Sequence, residues 1–280
     1  MKKGISYWSF AGADIKENLK LAKEAGFDGV EITLDAEGAV TMDSTKEEIL
    51  EIKKYGESLG LEFYSLASSL YWTYNYTSGN EENRNKAKEI TKKQLEIASW
   101  LGCDTILVVP GAVYVPWEPG EIVEYDVAYD RAQAALKELA PLAEQYKITI
   151  GVENVWNSFL LSPLEMKRFI DEIGSDYVKS YFDVGNVLNV GFPEHWIKIL
   201  GSRIKKVHIK DSLAPDGNCN TVQTALLRGA INWPGVIESL KNDGYDGWIT
   251  AEILPPNAHY PDALIYNTST SLDYILGRKK

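Results

Sequence analysis

Four side chains in this 280-residue chain are of the types that together could hold a divalent cation and move a proton: Glu153 in TIGVEN, Asp183 in KSYFDVGN, His208 in KKVHIKD and Glu252 in WITAEIL. Each closes an apolar or β-branched run, the pattern of a short buried strand. Taken singly, each has an ordinary role, such as capping the next helix, pairing with a lysine or satisfying buried backbone. Taken together they resist that explanation, because unpaired carboxylates converging on one point repel one another at neutral pH. A divalent cation removes the repulsion, accepts carboxylate oxygens and an imidazole nitrogen, and leaves positions open for a substrate.

Such a cluster needs elements to carry it. Apolar runs predict strands at 4–8, 29–34, 61–67, 105–110, 149–154, 178–183, 204–210 and 248–254. Amphipathic segments between them predict helices at 14–25, 44–59, 80–101, 126–146, 163–173, 193–200, 233–242 and within 260–276. Ser44 followed by Glu47 reads as a capping box, and Ser162 stands before Pro163 with Glu165 at the third position. Gly26, Gly60, Gly102 and Gly174 follow four helices, where a left-handed residue closes the last turn. Parallel strands joined by helices form either a closed barrel or an open doubly wound sheet, and eight repeats in this length fit closure. No GxGxxG or Walker-type loop follows an early strand. The expected fold is therefore α/β, a (β/α)8 TIM barrel forming one domain over 1–280. In such a barrel chemistry gathers where strands end, which is where the four residues stand.

Composition sets the outer limits. Apolar residues at 45% and charged residues at 25% suit a chain that buries a sizeable core. A net charge of −11, with no cationic block, argues against a nucleic-acid surface. No window is long and apolar enough for a membrane helix or a signal segment, so no membrane partner and a cytoplasmic location are expected. Cys103 and Cys219 offer neither a disulfide framework nor a cysteine zinc site, and Cys103 reads as a buried thiol.

The stretches VENVWN, YFDVGN, VHIKD and TAE resemble motifs of the xylose isomerase-like barrel superfamily, in its branch of keto-sugar and keto-sugar-phosphate 3-epimerases and isomerases. The resemblance covers nearly the whole chain. It implies that Glu153, Asp183, His208 and Glu252, from the ends of strands five to eight, hold one metal. DVGN with HIKD looks most like the L-ribulose or L-xylulose 5-phosphate 3-epimerase subgroup. Phe159 and Asn186 stand where free-ketohexose epimerases carry Glu and His, while LLRGAINW with Arg228 replaces the Gly-Glu-Gly stretch of the phosphate subgroup.

The implied chemistry is proton abstraction beside a ketose carbonyl, an enediolate stabilised by the cation, and reprotonation from the opposite face, with Glu153 and Glu252 as the two catalytic groups. Mn2+ is the favoured metal, with Co2+, Zn2+ and Mg2+ suited to the same ligands. Asn186, Lys210, Asp211, Arg228, Asn157, Trp8, Trp72 and Trp117 are the expected substrate contacts, the indoles facing the C–H side of a sugar. The resemblance also implies a dimer or tetramer. Rival readings are a dehydratase or isomerase of a keto-inositol or hydroxypyruvate on the same site, a non-catalytic sugar-binding barrel, and an abasic-site endonuclease. The last needs several metals and many histidines, whereas the chain has only His195, His208 and His259. Lys206 shares the strand parity of His208, which turns it inward and makes Glu31 its expected partner.

Overall fold

A computed structural model describes residues 1–115, 120–213 and 222–279. Eight parallel strands close a barrel in the order β1 (Lys2–Ser6), β10 (Trp248–Ala251), β7 (Ile204–Ile209), β6 (Val178–Asp183), β5 (Thr149–Glu153), β4 (Thr105–Val108), β3 (Glu62–Ser68) and β2 (Gly29–Leu34), the last returning to β1. Around it run α1 (Ile15–Glu24), α2 (Lys46–Ser58), α3 (Glu81–Leu101), α4 (Tyr125–Tyr146), α5 (Pro163–Ile173), α6 (Pro193–Leu200), α7 (Trp233–Asn242) and α8 (Pro261–Ile275). This is the (β/α)8 TIM barrel that the alternation of runs predicts.

The strands are largely buried because helices cover one face while packed side chains fill the other; β2 is buried along its whole length. Each helix turns an apolar stripe inward. On α5 that stripe is Met166, Phe169, Ile170 and Ile173, the i, i+3, i+4, i+7 spacing of one helical face. Gly26, Gly60, Gly102 and Gly174 all adopt positive φ after their helices. The Ser162 hydroxyl accepts from Glu165 N at 3.2 Å as expected. The start of α2 differs from expectation: the capping box is formed by Thr45 and Glu48, while the Ser44 hydroxyl accepts from Thr41 N. The sequence STKEE contains the same spacing twice, one residue apart, and the later copy forms the cap.

Predicted strands overrun their C-terminal ends at the first, fourth, fifth, seventh and last positions. There the chain leaves the sheet to build the mouth. The ladder nonetheless extends one step beyond β10, since Glu252 N donates to Ile209 O at 3.0 Å. A hairpin absent from the sequence reading follows β7: β8 (Asp211–Leu213) pairs antiparallel with β9 (Val222–Thr224). Cys103 is buried and free, while Cys219 and Trp117 lie outside the described residues. Among the described residues no helix is long and apolar enough to cross a membrane.

Candidate metal centre

Strand register brings the four residues together. Asp183 and His208 are direct partners across the β6–β7 ladder, so they stand side by side at one height. Glu153 ends β5, and Glu252 follows β10 on the far side of that pair. One carboxylate oxygen or ring nitrogen from each of the four lies within 4.8 Å of the others, and all four residues are buried. A cation with bonds of about 2 Å spans ligand atoms up to about 4 Å apart, so small side-chain adjustments would close this set around one ion.

The hydrogen bonds aim these groups. Asp183 N donates to the Asn154 side-chain oxygen, and the Asn154 amide donates back to Asp183 O at 2.8 Å, locking the end of β6 to the end of β5. Asp183 Oδ1 accepts from Asn186 N at 2.8 Å, which leaves Oδ2 to face the cluster. His208 Nε2 lies 2.8 Å from Glu31 Oε1, so Nδ1 is the nitrogen turned to the carboxylates. Asp183 Oδ2 and His208 Nδ1 are buried and make no hydrogen bond, although Oδ2 is ion-paired with Lys210 Nζ at 3.0 Å and Nδ1 lies 3.5 Å from Glu153 Oε1. Buried polar atoms are rarely left so. A set of three carboxylate oxygens and one imidazole nitrogen gathered in one buried cluster is the donor chemistry that suits a divalent cation.

Glu31, fully buried in β2, also accepts from Ser65 Oγ at 2.9 Å and from the Tyr181 hydroxyl. It therefore serves His208 and not Lys206, correcting the expected pairing. Lys206 runs instead to Asp104 Oδ1 at 2.6 Å, at the opposite end of the barrel. Pairing is regular from Lys206 to His208, so Lys206 does share the inward parity of His208 and is buried, with its ammonium 5.9 Å from the Tyr64 ring; only its partner differs from expectation. An acidic residue inside the run GVEITL was the visible signal for Glu31; parity along one strand could not name its partner three strands away.

Electrostatics divides the two glutamates. Burial pushes the Glu153 carboxyl up to about 7, with Glu252 adding to the rise and His208 opposing it. Burial acts the same way on Glu252, yet the Lys210 ammonium and His208 outweigh it and hold that carboxyl below its usual value. Burial also raises Asp183 against the pull of Lys210. Burial disfavours the His208 cation, but Glu31 and Glu153 more than reverse this. Lys210 Nζ hydrogen-bonds Glu252 Oε2 and lies 3.0 Å from Asp183 Oδ2.

Above the cluster opens a cavity of about 490 Å³. Of the expected substrate contacts, Trp8, Trp72, Asn186 and Lys210 line it, together with Glu153 and Glu252. Trp8 is oriented by donating Nε1–H to Asp35 Oδ2 at 3.1 Å. Trp156 and Gln223 line it as well; Gln223 sits on β9, an element too short to read from periodicity. Three expected contacts lie elsewhere. The Asn157 amide donates to Gly111 O at 2.6 Å and its oxygen accepts from Phe159 N, so it fastens the loop after β5. Asp211 accepts from Ser212 N, Gly229 N and the Trp233 indole, tying the hairpin to the start of α7. Arg228 is exposed in the turn after β9 and is not part of the cavity wall.

A family model described as xylose isomerase-like TIM barrel matches residues 19–268. L-ribulose-5-phosphate 3-epimerase UlaE of Salmonella paratyphi A is 24% identical over 264 residues, covering 90% of this chain and 87% of its own. A solved D-psicose 3-epimerase with D-tagatose from Clostridium cellulolyticum H10 superposes with TM-score 0.79 at 19% identity, covering 99% of each chain. The IOLI protein with a binding zinc atom superposes with TM-score 0.81 at 18% identity, again covering 99% of each chain.

Proposed function

The chain belongs to the xylose isomerase-like TIM barrel family, and from that premise we propose that it is a metal-dependent epimerase or isomerase of a ketose or ketose phosphate. One observation carries the reading: Glu153 and Glu252 reach the cavity wall from strands separated by β6 and β7, so two carboxyl groups flank one floor from different sides. A bound divalent cation would polarise a carbonyl and stabilise the charge that develops when the neighbouring C–H loses its proton.

Glu153, Asp183, His208 and Glu252 are its proposed ligands. Glu31 keeps the His208 ring in the tautomer that offers Nδ1. Glu153 and Glu252 are the proposed proton carriers, one taking a proton from the carbon beside the carbonyl and the other returning it from the opposite face, which inverts the centre. Trp8 and Trp72 present apolar faces to sugar C–H groups, and Asn186 sits at the same wall. Mn2+ is the metal we favour for this oxygen-rich set with one imidazole.

The relatives include an enzyme named for a ketose phosphate and one solved with a free ketose. A panel of ketoses, ketose 5-phosphates, keto-inositols and hydroxypyruvate, assayed by exchange of substrate hydrogen with solvent deuterium, therefore tests the reading. Exchange at the carbon next to a ketose carbonyl is the expected result. Glu153→Gln and Glu252→Gln should each lower turnover by roughly two to four orders of magnitude while leaving sugar binding largely intact. Full activity in either variant defeats the two-base assignment.

A further inference from the structure

Lys210 makes the two contacts that a cation in this centre would contest. Its ammonium hydrogen-bonds Glu252 Oε2 and lies 3.0 Å from Asp183 Oδ2, and its side chain is only 9% exposed. Two of the four proposed ligands are thus already engaged by a positive charge belonging to the chain. In a buried site of low effective dielectric, an ammonium and a divalent ion cannot crowd the same carboxylates without strong repulsion.

The surroundings supply room for the ammonium to leave. Lys210 lines the mouth cavity and also a cavity of about 450 Å³ lined by Pro255 and Pro256, the two sharing Gln223, Glu252 and Leu254 as well. Its stem passes over Gly185 of the DVGN segment, where an added Cβ would stand 2.3 Å from Lys210 Cγ and 2.8 Å from Lys210 O. That glycine leaves the side chain a track that any other residue would obstruct.

We infer that Lys210 is an internal counter-cation that competes with the divalent ion for Asp183 and Glu252, and that ion binding turns its ammonium out into the cavity toward a sugar oxygen. This inference rests on the metal-centre reading above. It makes ion binding and sugar binding mutually reinforcing, since the ion frees the donor that the sugar meets. It also gives the centre a cation of its own, which steadies the carboxylates before any ion arrives.

Equilibrium dialysis of Mn2+ against wild-type protein and Lys210→Met, alongside lysine acetylation of the wild type read by mass spectrometry, tests it. Removing the competitor should tighten Mn2+ binding about tenfold or more. In the wild type, Mn2+ should raise the labelling of Lys210 relative to other lysines. Unchanged or weaker Mn2+ binding by the variant overturns the inference. Should the variant not fold, flat or reduced Lys210 labelling in the wild type overturns it equally. Wild-type protein that takes up no divalent ion at all removes the metal-centre reading itself, an outcome distinct from a wild type that binds Mn2+ no more weakly than Lys210→Met.

Discussion

Replacing Glu31 by glutamine keeps the volume of a fully buried side chain but removes the charge facing His208 Nε2. An amide can face that nitrogen with either its oxygen or its NH2, so the ring loses its fixed tautomer and part of its basicity. Partners of this kind commonly contribute 10- to 100-fold in metal affinity. Glu31→Gln is accordingly expected to weaken divalent-ion binding by about that factor, measured by calorimetry, while leaving the far-ultraviolet spectrum of the barrel unchanged. Ion affinity equal to wild type would show that Glu31 only fills space. At this scale sequence reading reached the four converging groups, because each terminates a visible apolar run. It did not reach the partners that orient them: Glu31 meets His208 and Tyr181 only after the barrel has closed, and Asn154 finds Asp183 only across a strand pair.

Among the elements, β7 carries both the site and a buried cation far from it. Lys206 is nearly buried and ends on Asp104, whose carboxylate is half exposed. Burial acts to raise Asp104, but Lys206 and Lys205 outweigh it and hold the carboxyl below its usual value. A carboxyl whose folded pKa is lowered contributes stability that is present above its unfolded pKa and lost as pH falls through the folded one. Asp104→Asn should therefore destabilise the protein at neutral pH by roughly 1–3 kcal/mol, the range for a buried group left without its partner. The variant should also lose less stability than wild type as the pH falls below about 4. Urea melts at neutral and acid pH check both. Equal slopes for the two proteins across the acid range would mean that the pair is not coupled to folding. The elements themselves were largely legible: α5, α6, α7, β2 and β6 have the predicted bounds, since Gly, Pro and capping residues punctuate them. The β8–β9 hairpin was not, because three-residue strands carry no usable period. The inward direction of Lys206 was legible from strand parity, but its partner Asp104, just before β4, was not, because the two meet only across the closed barrel.

For the whole molecule, closure of the barrel and occupation of its mouth are one energetic problem. The first strand is fastened to the last helix by Lys3, whose ammonium reaches Ser269 Oγ at 2.9 Å and Asp273 Oδ1 at 2.7 Å. At the other end of the strands the carboxylates that end β5 and β6 and follow β10 are drawn together against their mutual repulsion. An ion that binds only the folded barrel adds stability by mass action, about 2.7 kcal/mol at a hundredfold excess over its dissociation constant. For a chain of this size that corresponds to a rise in melting temperature of roughly 5 °C. Scanning fluorimetry with Mn2+, Co2+, Zn2+ and Mg2+ should show such a rise for at least one of them, and Asp183→Asn should abolish it. A melting temperature indifferent to all four would leave the mouth without its proposed ion.

The β8–β9 hairpin carries Gln223 to the cavity wall, yet it is anchored through Asp211 to Gly229 and Trp233 and contributes none of the four converging groups. The converging groups and this part of the cavity wall thus lie on separate stretches of polypeptide. A substitution at position 223 therefore reshapes the rim of the cavity without touching any of the four proposed ligands, a modular division between the wall and the floor of one pocket.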